Sequence, residues 1–198
     1  FSRVQAQANA TPVINSVATA ITPLGSDEAS IVPTENGTTR VYIHGTASDT
    51  DGCENIDTAA NYTIKLYRTD IPGGPAAAAD NNNKYDVSVY TIGLTGCTGP
   101  GDNNLVYQGY ADLQYYADAT DAGSPNAATD WTVYVTVTDE AAPPATSAVY
   151  YDVFEMNSLL AFDISGPISY GTLDLGADSA QQTVIFTNTG NRASDADQ

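Results

Sequence analysis

Residues 131–137, WTVYVTV, alternate side chains with a period of two: Trp131, Val133, Val135 and Val137 fall on one side, Thr132, Tyr134, Thr136 and Thr138 on the other. That period suits a strand with one buried face and does not suit a helix. The same reading predicts further strands at about Pro12–Ile21, Thr38–Ala47, Tyr62–Arg68, Tyr85–Ile92, Leu105–Tyr116 and Ala148–Met156, separated by Gly, Pro, Asp and Asn clusters. In the second of these, Val41, Ile43 and Gly45 share a face opposite Tyr42 and His44. Seven short strands and almost no helical periodicity predict an all-β, seven-stranded immunoglobulin-like sandwich over residues 12–156.

Beyond Met156 the pattern starts again. Leu160–Ile164, Tyr170–Leu175 and Thr183–Thr189 read as three strands before the polar NRASDADQ. Three strands cannot close a sandwich, so residues 157–198 are expected to be a partial second module of the same kind. Two explanations stand open: the chain is a piece of a longer protein, or a neighbouring subunit supplies the missing strands. Residues 1–11 form a leading extension, and the Phe1–Pro12 stretch is the candidate donor, with Phe1 and Val4 as its large apolar anchors. The short, partly apolar NSLLAF at 157–162 predicts a packed junction between the modules.

Charge narrows the function classes. The net charge of −18 comes from 24 acids against 6 bases, and 19 of those acids are Asp, the residue of turns and metal loops more than of helix surfaces. Such a chain repels nucleic acid and anionic lipid. Cations, or partners that carry them, are its natural counterparts. No apolar run is long enough to span a membrane as a helix, so no membrane insertion is expected.

If successive strands run antiparallel, the loops 48–59, 93–104 and 139–146 meet at one pole. Cys53 and Cys97 lie in the first two, so the expectation is a disulfide closing about 44 residues in an oxidising, extracytoplasmic setting. Two separate buried thiols are the alternative. The stretch DTDGCE sets Asp49, Asp51 and Glu54 around Gly52, and Asp57, Asp102, Asp139 and Glu140 approach the same pole. Oxygen donors at this density suit calcium, although a complete EF-hand loop is absent; the plainer alternative is a set of solvated turn acids. An odd strand number also sends the chain in at this pole and out at the opposite one, as a tandem string of modules requires. A calcium ion here would act as a cadherin-like hinge.

Asn9, Asn36 and Asn61 each begin an N-x-Ser/Thr triplet, compatible with glycosylation. His44 is the only histidine and has no nucleophile motif near it, and no cofactor motif occurs, so no enzymatic activity is expected. The Tyr115–Tyr116 and Tyr150–Tyr151 doublets place one ring on each face of their strands. One ring of each pair is expected in the core and the other is a candidate sugar-binding surface.

The stretches TPVINSV (11–17), VYIHGTASDTDGCENI (41–56), IKLYRTD (64–70), ADLQYYADATDAGSPNAATDWTVYVTVTDEA (111–141) and ISYGTLDLGADSAQQTVIFTNTGN (168–191) together resemble large secreted surface proteins of uncultured, candidate-phyla bacteria, which carry Ig-like or cadherin-like modules. The resemblance implies cell-surface, adhesive or fibre-forming roles. In those proteins the segment after NTGN continues into further strands. The functional expectation is a non-enzymatic extracellular structural protein that self-associates head to tail into a filament or surface layer. The alternative is an adhesin or carbohydrate-binding module that recognises glycans or other cell-surface ligands.

Overall fold

A computed structural model describes residues 8–89, 94–99 and 101–192. Its strands are β1 (Val13–Ala20), β2 (Ser30–Ile31), β3 (Thr38–Ser48), β4 (Tyr62–Arg68), β5 (Lys84–Asp86), β6 (Ser88–Val89), β7 (Asn104–Gln114), β8 (Trp131–Val137), β9 (Tyr150–Met156), β10 (Phe162–Ile164) and β11 (Phe186–Asn188). One sheet has the order β1-β3-β7-β6 and the other β2-β9-β8-β4-β5. The fold is an all-β sandwich, and its central order, β1-β3-β7-β6 against β9-β8-β4, is that of an immunoglobulin domain. Among the described residues no helix is long and apolar enough to cross a membrane.

The alternating patterns land as read. Val41 and Ile43 of β3, Ile64 and Leu66 of β4, and Trp131, Val133, Val135 and Val137 of β8 all face the buried interior, where Leu105, Tyr107 and Leu113 of β7 meet them. Gly45 pairs with Val17, one position from the bulge that β1 makes between Ile14 and Ser16, opposite Thr46 and Ala47. A Cβ there would stand 1.9 Å from the Ser16 carbonyl oxygen and 2.6 Å from the Tyr107 hydroxyl. The missing side chain is what lets the buried Tyr107 donate its hydroxyl to Ser16 O at 2.8 Å, which ties the two strands through the core.

Three elements differ from the sequence reading. The single strand expected over Tyr85–Ile92 is two: β5 pairs with β4, and β6 pairs with β7, so the chain changes sheets at Val87; residues 90–92 lie outside the described part. The two-residue β2, parallel to β9, is too short to carry a period. Finally, neither ring of Tyr150–Tyr151 is in the core: the start of β9 pairs with β8 on one side but has an open edge on the other, where β2 reaches only Glu155 and Met156. Tyr115 and Tyr116 lie past the end of β7 and pack edge to face against each other.

Between β1 and β9 a carboxylate faces inward. Thr19 Oγ1 donates to Asp152 Oδ2 at 2.8 Å, while the Thr19 amide donates to Asp27 Oδ1 at 2.9 Å. Burial, reinforced by the nearby Asp27 charge, raises the Asp152 pKa. A raised folded-state value means that the favourable contribution is complete below the unfolded carboxylate pKa of about 3.9 and is lost as pH rises through the folded value. Asp152→Asn is therefore expected to raise Tm at pH 7, with the gain shrinking to nothing as the pH approaches about 4. Thermal melts across that range check this; a Tm at or below wild type at pH 7 would reject it.

Residues 157–192 form a two-stranded sheet rather than the three strands expected. Phe162–Ile164 pairs with Phe186–Asn188, and Tyr170–Leu175, despite its apolar content, forms no strand and pairs with neither outer edge of this sheet. The junction is fastened by side chains. Asn191 donates to the carbonyls of Ala117 and Asn157, both at 3.0 Å, and accepts from the Leu159 amide at 2.6 Å. Asn36 N donates to Thr189 O, and Thr189 Oγ1 to Glu35.

Candidate functional site

The disulfide joins Cys53 and Cys97, with Cα atoms 5.7 Å apart. Around it the three expected loops converge. Cys53 N donates to Asp102 O at 2.8 Å, Asp49 N to Asn103 O at 2.9 Å, and Glu140 N to Asn55 O at 3.0 Å. The leading segment joins them: Ala10 N donates to Asp51 Oδ2 at 2.6 Å, and Asn9 Nδ2 donates to Asp139 Oδ2 and to Pro143 O, both at 3.0 Å.

The seven acids divide into two sets. Asp102 uses both oxygens to hold its own turn, accepting from Thr98 and from the Asn104 amide; these bonds keep its carboxyl below the usual range. Glu140 accepts from Thr58 Oγ1 at 3.1 Å. Glu54 is exposed, and Asp57 lies beside a shallow cleft of about 220 Å³ with Leu94, Thr95, Cys97 and Leu105. Asp102 and Glu140 are thus committed within the loops, while Glu54 and Asp57 stand on the exposed surface.

The second set, Asp49, Asp51 and Asp139, lies where the leading segment docks, with Asn9 on Asp139 and Ala10 on Asp51. Asp49 is 1% exposed and Asp139 3% exposed. Asp139 is well satisfied, since its Oδ1 accepts from the Ala145 and Ala141 amides. In Asp49, Oδ1 accepts from Asp51 N at 2.8 Å, but Oδ2 is buried with no hydrogen-bond partner, and the buried Oδ1 of Asn9 also has none. Burial raises the Asp49 pKa, and the Asp51 and Asp139 charges add to the rise. Among the described residues no three Asp, Glu, His or Cys side chains stand close enough together to hold a metal as they are.

The sequons separate as well. Asn61 is 8% exposed, its Nδ2 donating to Thr138 O at 2.7 Å and its Oδ1 accepting from the Thr58 amide, so in the folded chain this amide is not open to a glycan. The Asn9 side chain is held at the acidic pole in the same way. Asn36 is exposed on a turn, with φ of 48°. Sequence reading saw Asn9 only as a sequon: nothing local signals a partnership with Asp139, 130 residues away. His44 lies on the outer face of β3, with Nε2 3.0 Å from Gly25 O.

At the opposite pole lies an open apolar surface. Leu160, Ala161, Phe162, Phe186 and Asn188 line a cleft of about 440 Å³, and the Phe162 and Phe186 rings pack 6.1 Å apart while remaining 58% and 67% exposed. Among the described residues each strand of this two-stranded sheet has only the other as a neighbour. The donor anchors Phe1 and Val4 lie outside the described residues. No protein-family model matches the chain, and no curated protein matches it.

Proposed function

We propose that this chain is a non-enzymatic, secreted structural unit of a cell-surface filament or layer, joined head to tail by β-strand complementation at β10–β11. The observation that carries this reading is the open sheet: a two-stranded element with Leu160, Phe162, Ile164, Ile185 and Phe186 exposed together is marginal alone and gains a partner for its edges and its face from an extended segment of a neighbouring copy. The segment ahead of Ala8, with Phe1 and Val4, is the proposed donor; anchoring of Asn9 and Ala10 places its root at the pole opposite the acceptor. A donor at one end and an acceptor at the other make a heterologous contact, which propagates instead of closing. The Cys53–Cys97 bond fits an oxidising compartment.

A glycan-binding reading has less support. Tyr134 and Tyr151, the tyrosine pair on the outer face of β8 and β9, meet at 70°, so their faces do not form the flat platform on which a sugar ring stacks. Sedimentation and electron microscopy of the full chain test the assembly. Wild type is expected to form polymers, and Phe162→Asp with Phe186→Asp to weaken association at least ~100-fold by removing two apolar anchors, with the melt of the main sandwich unchanged. A monomer at all concentrations, or normal polymers from a chain lacking residues 1–7, would sink respectively the assembly and the donor assignment.

A further inference from the structure

The chain holds 13 Tyr against one Met, one Trp and two Cys. Met156 and Trp131 are fully buried, and the two cysteines are joined to each other. The thiols and thioether that ordinarily take up an oxidant first are therefore consumed or covered, and tyrosine is what an oxidant meets at the surface. Several of the phenols are set apart from such chemistry. Tyr62, Tyr85 and Tyr107 are buried, and burial raises the pKa of each hydroxyl. Tyr110 lies under the Arg40 guanidinium, 3.9 Å from its ring centre, and a positive charge there opposes the loss of an electron. Tyr115 and Tyr116 are neighbours along the chain, so a bond between their rings closes a small, strained cycle.

Tyr134 and Tyr151 are placed differently. They stand directly opposite each other on β8 and β9, with ring centroids 6.0 Å apart at 70°. The amides of Glu155 and Asn157 turn to β2, so by alternation that of Tyr151 also points away from β8. Tyr134 and Tyr151 are thus a non-hydrogen-bonded pair, the kind in which cross-strand side chains approach most closely. Tyr151 is 54% exposed, open to an oxidant, and Tyr134 is half-buried beside it. We propose that this pair is an oxidative coupling site, whose product, a dityrosine, staples β9 to β8. The oxidant is hydrogen peroxide, used in one-electron steps by a haem peroxidase. Each phenol gives up one electron and its hydroxyl proton. The two phenoxyl radicals join through the ring carbons ortho to oxygen, and the hydrogens on those carbons shift to the oxygens, restoring both hydroxyls. The pair loses two hydrogens in all, and one peroxide, its O–O bond broken, becomes two waters. The site does not depend on strand complementation at β10 and β11.

The test is brief treatment of the dilute full chain with a haem peroxidase and hydrogen peroxide, followed by mass spectrometry of the monomer. Cleavage before aspartates separates residues 130–138, whose single tyrosine is Tyr134, from residues 139–151, which end in Tyr150 and Tyr151. The expected result is a monomer lighter by two hydrogens that yields these two peptides joined, with dityrosine fluorescence. Tyr134→Phe and Tyr151→Phe, which keep the ring and the packing, are each expected to abolish the joined peptides, while Tyr150→Phe leaves them. The linked monomer is expected to melt about 5–10 °C higher, since the bond closes the chain between the two strands. The proposal is overturned if the joined peptides are absent from the monomer, if they persist in Tyr151→Phe, or if chain unfolded in urea gives them in equal yield. A linked monomer that melts no higher than the unlinked one would overturn the stapling role.

Discussion

Replacing Trp131 by alanine is expected to unfold the main sandwich at or close to physiological temperature. The indole is fully buried at the pole opposite the disulfide, stacked on Phe154 at 6.1 Å and tilted against Tyr85 at 5.9 Å, and its Nε1 donates to Asp118 O at 2.8 Å. Truncation of a buried Trp costs about 3–5 kcal/mol through lost transfer energy and the cavity left behind. The Asp118 carbonyl also loses its donor, adding about 1 kcal/mol or more. Against a total stability of about 5–15 kcal/mol this is a large fraction, equivalent to a fall in Tm of about 10–20 °C. Because this is the only tryptophan, the melt must be followed by circular dichroism. Trp131→Phe should recover more than half of the loss; a Tm within a few degrees of wild type for the alanine variant would show that the indole does not anchor the core.

Removal of the Cys53–Cys97 bond should come next in size. The bond closes a 44-residue separation, for which the chain-entropy model gives about 4 kcal/mol, or a fall in Tm of about 8–16 °C. Cys53 is itself a core residue and Cys97 packs against the core, so paired Cys→Ala variants should lose slightly more than reduction alone. The same bond pins the loops that carry Asp49 and Asp102, and its loss should loosen the acidic pole before the rest of the sandwich. Hydrogen exchange at residues 49–57 would show this; uniform protection throughout the reduced protein would contradict it.

Strands β3, β4, β7 and β8 were legible because each is long enough for the period of two to show and each packs one face against the other sheet. The disulfide pole followed from strand parity alone, since direction along the chain fixes which loops are neighbours. Shorter pieces escaped. The β5 and β6 strands share one continuous sequence pattern but belong to different sheets, because the crossover at Val87 is set by partners distant in sequence. Tyr170–Leu175 clusters apolar residues between turns but pairs with neither edge of the two-stranded sheet, and apolar content alone does not fix a strand's partner. Parity grouped the acids at this pole but not their states: Asp102 and Glu140 look no different from the buried Asp49 until hydrogen bonds are assigned. Asn9 and Asn61, alike as triplets, are both taken up by the fold.

The pairing of β2 with β9 bears on how such a unit behaves under tension. The two strands are parallel, linked by Glu155 N to Ala29 O at 2.9 Å and Asn157 N to Ile31 O at 2.8 Å. A pull applied ahead of β1 and beyond β9 first loads the bonds of β1 to β3; transmitted past β1, it drags β2 and β9 in opposite directions along their length, so their bonds are loaded together and not opened one after another as in a zipper. Once that clamp gives way, the covalent link between Cys53 and Cys97 still holds 44 residues out of the extending chain, about 150 Å of contour at full stretch. Under tension, then, the disulfide sets a covalent limit on how far the sandwich can extend, a property on which the proposed role in a filament or layer would draw.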